Sequence, residues 1–130
     1  MSKVVHFEIV AIDVERASKF YTTVFGWEIK KVEGMEPAYW LIMASPANTP
    51  GAINGGMRKE MGTDVKEMTK SVNGFICVID VPSIDATLAM IEPNGGKVMQ
   101  PKMAVPGVGF LAYCYDTEGN VICVMEAEAK

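Results

Sequence analysis

From Lys3 to Val10 the chain alternates, with Val5, Phe7 and Ile9 on one face and His6, Glu8 and Val10 on the other. That is the period of a half-buried strand, and the apolar face is expected to pack on a helix. Asp13 is a good N-cap for a helix whose apolar positions Val14, Ala17, Phe20, Tyr21, Val24 and Phe25 recur at spacings of three and four. Gly26 then ends it. Three strand-like runs follow, near Trp27–Lys31, Ala38–Ala44 and Ala52–Arg58, separated by Gly, Pro and Asn clusters that read as turns.

The same order then returns. Residues 73–80 read as a strand, Ser83 caps a helix carrying Ile84, Thr87, Leu88 and Ile91, and Gly95-Gly96 closes it. Further strands are predicted near Lys97–Pro101, Gly107–Tyr115 and Asn120–Glu126. Asp13 to Gly26 and Ser83 to Gly96 are equally long, so the chain holds an internal repeat of about seventy residues, a duplicated supersecondary unit rather than a solenoid. The expected fold class is α+β, a single domain of two βαβββ modules (residues 1–58 and 73–130, with 59–72 as linker) forming a curved mixed sheet with helices on its outer face.

Composition narrows the partners. A net charge of −4 with no run of Lys or Arg argues against nucleic acid or an anionic membrane. No apolar run approaches the roughly 18 residues of a membrane span, and the N-terminus has no secretory pattern, so a cytoplasmic protein is expected. The three cysteines, Cys77, Cys114 and Cys123, fall in predicted strands, form no CxxC and read as buried thiols.

The stretches HFEIVAIDVERASKFYTTVFGWEI, PGAINGGM, NGGKV, PKMAVPGVGF and DTEGNVICVME resemble the glyoxalase/bleomycin-resistance/extradiol-dioxygenase group, the vicinal oxygen chelate superfamily. The resemblance covers nearly the whole chain. It implies a small-molecule cleft between the modules, lined by the face of the first strand that bears His6 and Glu8, and a homodimer. The superfamily's enzymes hold a divalent metal with four strand positions, typically His and Glu. Of these the first falls on His6, seven residues before Asp13. Seven residues before Ser83 stands Ile76, with Gly74 in the nearest alternative register; the position in the fourth strand falls near Asn54 or Gly55; the last falls on Cys123. His6 is also the sole histidine, whereas a 2-His-1-carboxylate iron site needs two, so a dioxygenase is not expected. No cofactor is expected, and His6 is a metal ligand only if a divalent metal binds.

The candidate chemistry is therefore His6 and Glu8 as an acid/base or ligand-orienting pair. Trp40 and Tyr39 in the third strand and Tyr113 in the seventh offer aromatic surface to a ligand, but one of Tyr39 and Trp40 must face the other way; Trp40 and Tyr113 are the residues placed in the site. Asn54 and Gly56 offer a polar group and close backbone approach. Cys123 reads as an apolar position rather than a nucleophile, and Glu126, on the opposite face, as a group at solvent or an interface. No nucleophile elbow, phosphate loop or dinucleotide fingerprint occurs. Three readings stay open: a metal-free small-molecule binding protein, a glyoxalase-like lyase or isomerase using His6 and Glu8 with a non-standard metal shell, and an accessory protein with a closed cleft.

Overall fold

A computed structural model describes residues 1, 4–59 and 75–128. The chain divides into two compact units, Met1–Thr63 and Asp64–Lys130, each taken by itself below.

In the first unit, β1 (Phe7–Ala11) leads through Asp13 into α1 (Val14–Phe25). The Asp13 carboxylate accepts the Arg16 N–H at 3.0 Å, satisfying one of the helix's orphan donors. Gly26, in the left-handed region at φ 75°, ends the helix and returns its own N–H to the Thr22 carbonyl. Then come β2 (Glu28–Lys31), β3 (Tyr39–Met43) and β4 (Gly55–Lys59), giving the sheet order β1-β4-β3-β2 with β1 and β4 parallel. One face of this sheet, with Ala11, Ile42 and the fully buried Met57, packs on α1, where Ser18 Oγ reaches Met57 Sδ. Tyr21 stacks on Trp27 at 5.0 Å between ring centroids, and Phe20, Phe25 and Phe7 surround the pair.

The second unit repeats the plan with β5 (Val78–Asp80), α2 (Ile84–Ile91), β6 (Lys97–Val105), β7 (Gly109–Tyr115) and β8 (Val121–Ala127), in the order β5-β8-β7-β6. The α+β class and the two βαβββ modules stand as expected, and the strands pair within modules to give two four-stranded mixed sheets. Several expectations need correcting. The first strand of this module begins at Val78; Phe75, Ile76 and Cys77 precede it, and residues 73–74 lie outside the described set, as do residues 60–72 of the expected linker. Val5, expected against a helix, is 67% exposed and precedes β1. The second helix is shorter than the first because Pro93 turns its last residues into a 3-10 segment, Glu92–Asn94, and the left-handed residue is Gly95.

β6 runs through Pro101 to Val105, beyond the expected end. It is the outer strand of its sheet, where a missing N–H costs no ladder bond, and register shifts between Val98 and Met103 absorb the irregularity. It turns into β7 through Val105-Pro106-Gly107-Val108, with Val108 N–H on the Val105 carbonyl at 3.0 Å and Gly107 at φ 79°, the type II geometry that a Pro-Gly pair favours.

Two of the three cysteines are buried, whereas Cys77 is exposed, because it precedes β5. Cys114 pairs with Ile122 and Tyr113 with Cys123, so the two buried thiols, one residue out of phase, point to opposite faces of the sheet and cannot form a disulfide. Burial, with the nearby Cys123 adding, pushes the Cys114 thiol up to about 11. A dithiobis-nitrobenzoate assay at mildly alkaline pH should accordingly titrate Cys77 quickly and the other two only on unfolding. Three fast thiols would refute this packing. The thiol of Cys114 also favours the folded state only while protonated, so its contribution is whole below about 9 and is lost as pH rises through about 11.

Glu126 is likewise not a free surface group. Its Oε1 accepts the Ile84 N–H at 2.9 Å, so a carboxylate on β8 sits at the positive end of α2 and helps hold the helix to the sheet.

Candidate functional site

Register decides which side chains share a face in the first module. Glu8, Gly56 and Leu41 lie across from one another on β1, β4 and β3, and Val10, Arg58 and Tyr39 form the next row on the same face. This face is turned away from α1, since the intervening Met57 packs on the helix. His6 continues the face beyond the start of β1. Four polar side chains meet on it. Tyr39 Oη donates to Glu8 Oε2 at 3.0 Å, Arg58 Nε donates to Glu8 Oε1 at 2.9 Å, and His6 Nε2 lies 2.9 Å from Tyr39 Oη.

Tyr39 and Glu8 stand on strands separated by β4, too far for neighbours to touch. The ring reaches across because Gly56 has no side chain: a Cβ there would collide with the Tyr39 hydroxyl and ring edge. Burial pushes the Tyr39 phenol above its ordinary range, the hydrogen bond and negative charge of Glu8 add to this, and Arg58 opposes it. The phenol therefore stays protonated at neutral pH and remains a donor. Both Glu8 oxygens are engaged, whereas Nδ1 of His6 and the terminal nitrogens of Arg58 meet no partner among the described residues.

His6, Glu8 and Gly56 are thus brought together. Trp40 is not, because it follows Tyr39 in an extended strand and falls in the row of Met57 and Ile9 on the helix side, with Lys31 Nζ 5.7 Å from its ring centroid. Asn54 is occupied structurally: its Oδ1 accepts from the backbone of Ala44 and Ser45 and from Ser45 Oγ at 2.8, 3.0 and 3.2 Å, tying off the loop between β3 and β4. Tyr113 lies on β7 of the second unit, across from Cys123 and Gln100. Tyr39 and Arg58 are the additions. The clue to them was parity with Glu8, which becomes usable only once the pairing of β3, β4 and β1 is known.

The second module offers an internal comparison. Its residues five and seven positions before the helix cap are Val78 and Ile76, where the first module has Glu8 and His6. Val78 pairs with Cys123 as Glu8 does with Gly56, and Leu111 pairs with Met125 as Tyr39 does with Arg58. The polar row of one module is apolar in the other.

The family model described as glyoxalase/bleomycin resistance protein/dioxygenase superfamily matches residues 3–124. The chain belongs to that superfamily. A glyoxylase-like domain-containing protein from Didymella fabae is 35% identical over 130 residues, covering 95% of this chain and 92% of that protein. Among solved structures, TnmS3, an antibiotic binding protein from Streptomyces sp. CB03234, superposes with a TM-score of 0.69 at 19% identity over 98% of each chain. FosX of Listeria monocytogenes, in its E126Q form complexed with Mn(II) and a dihydroxypropylphosphonic acid, gives 0.69 at 13% identity, covering 96% of this chain and 90% of FosX. At such identities these two superpositions establish the fold alone.

The superfamily's metal set does not fit the residues here. Ile76 has no donor atom and Gly55 no side chain, and the Asn54 oxygen is already taken by three donors. Cys123 is 1% exposed and burial pushes its thiol up, against the thiolate a metal needs. Glu8 already has a cationic partner in Arg58. Among the described residues no three His, Cys, Asp or Glu side chains gather as a ligand group.

Proposed function

We propose that this chain is a small-molecule binding protein of the superfamily that works without the usual metal site, taking its ligand on the open face of the first module. The observation that carries this reading is the row His6–Tyr39–Glu8–Arg58. Its inner contacts are satisfied and its two ends present an imidazole nitrogen and a guanidinium with unused donors. Such ends suit a ligand with a hydroxyl or N–H group at one point and a carbonyl, phenolate or carboxylate oxygen at another. Leu41, on the same face and half exposed, supplies apolar contact. That TnmS3 is an antibiotic binding protein supports small-molecule capture as a use of this fold.

Screening of hydroxylated aromatic acids by thermal shift, repeated on Arg58→Met, tests it. Loss of one charge-assisted hydrogen bond should weaken a hit roughly tenfold or more, as about 1.5–3 kcal/mol implies. Hits that bind the variant as tightly as the native protein would place the ligand elsewhere. 2-Oxoaldehydes incubated with the protein, with and without an added small thiol as co-substrate, check the lyase or isomerase reading, which uses the same His6 and Glu8. Product formed by native protein and lost in His6→Ala would favour that enzyme.

A homodimer belongs to the same proposal. β1 and β5 are edge strands, and the residues leading into them include exposed Val4, Val5, Phe75 and Ile76, apolar surface of the kind that self-association covers. Light scattering after gel filtration should give twice the chain mass, and a monomer at micromolar concentration would remove this part of the proposal.

A further inference from the structure

A phenolic hydroxyl has one proton to give. Tyr39 donates it in a hydrogen bond to Glu8, whose carboxylate also accepts from Arg58 and serves as the acceptor at both contacts. The 2.9 Å contact between Tyr39 Oη and His6 Nε2 must then run the other way, with the imidazole donating. A neutral imidazole carrying its hydrogen on Nε2 has its lone pair on Nδ1.

We propose that Tyr39 is a positioning residue: it fixes His6 as the Nε2–H tautomer and so makes Nδ1 the open acceptor of the site, for a hydroxyl or N–H group of the ligand. The role rests on the binding reading for its use, but not for its existence. Direction is set from the far end of the row. Arg58 orients Glu8, Glu8 accepts the Tyr39 O–H, and the Tyr39 oxygen accepts the His6 Nε2–H. Gly56 is part of the same device, since the ring crosses β4 only over a position without a side chain.

His6 is the chain's sole histidine, so a long-range proton–nitrogen correlation spectrum of the labelled protein reports on this ring without assignment. The neutral ring should show a pyrrole-type Nε2 and a pyridine-type Nδ1, with the Nε2–H exchanging slowly enough to be seen. Histidine free in water already favours Nε2–H, so the decisive reading is the change on substitution. In Tyr39→Phe the two nitrogens should move toward the free-histidine average and the ring N–H signal should be lost. Gly56→Ala should do the same with the hydroxyl still present, because the new methyl displaces the ring. All three atoms nearest that methyl belong to the mobile end of Tyr39, so the sheet need not open. An Nδ1–H tautomer in the native protein, or a His6 spectrum that either variant leaves unchanged while its backbone amides stay native-like, would overturn the proposal. No ligand is needed, so a failed ligand screen and a failed tautomer assignment remain separate results.

Discussion

Replacing Trp27 by alanine should cost about 3–5 kcal/mol of unfolding free energy, the range for removing a large buried aromatic. The indole is 8% exposed and lies nearly parallel to Tyr21, at 5.0 Å and 6°, with Phe25 and Phe7 at 5.5 and 5.7 Å on its other sides. Its backbone is held as well, because Thr22 Oγ1 donates to the Trp27 carbonyl at 2.8 Å across the helix end. Ring contacts of this kind add about 0.5–1.5 kcal/mol each beyond area, so the loss should sit toward the upper part of the range. Urea titration followed by circular dichroism measures it. A loss under about 1 kcal/mol would mean that the cluster collapses around the gap or contributes little to the core.

Gly109→Ala should be the other severe substitution, for a backbone reason. Gly109 sits at φ 136°, and a Cβ there would strike the Glu126 carbonyl oxygen and come within 2.7 Å of the Glu128 nitrogen. These are main-chain atoms of β8 and the residues after it, so nothing can swing aside. The dihedral strain costs about 1–3 kcal/mol and forcing the strands apart about as much again. Gly107→Ala is the matched control: its φ is 79° and no atom lies within 4 Å of the added methyl, leaving only the left-handed penalty of about 1–2 kcal/mol. Equal midpoints for the two variants would show that crowding at Gly109 is relieved elsewhere.

Much of the architecture was readable from the chain, since the βαβββ order depends on local signals. Asp13 and Ser83 cap their helices as side-chain acceptors, and Gly26 takes the left-handed conformation that ends the first. The boundaries that moved were those where a local signal met tertiary context. Pro101 reads as a strand end, yet on an edge strand it is tolerated and β6 continues. Cys77 reads as a strand residue, but β5 is only three residues long and begins after it.

The site was half legible for a related reason. Alternation alone places His6 and Glu8 on one face, because both lie in one alternating run of the chain, with His6 just ahead of β1. The choice between Tyr39 and Trp40 needs the register of β3 against β4, and Arg58 joins Glu8 across a pairing fifty residues apart in sequence. The Gly55-Gly56 pair reads in sequence as a place where a ligand can approach the backbone closely. Its second glycine proves to be a gap through which a ring passes, a role that only the third dimension reveals.

The apolar counterpart of the polar row has a consequence for how this protein can change. With Ile76, Val78, Leu111 and Met125 in the equivalent places, the second module shows that a βαβββ backbone forms without any of those four polar groups. On the proposed binding reading, folding and recognition fall to different faces of the first sheet: the helix side with Met57, Ile42 and the aromatic cluster, the open side with residues the backbone does not require. On that reading the open side can be rewritten for a new compound at little risk to the fold.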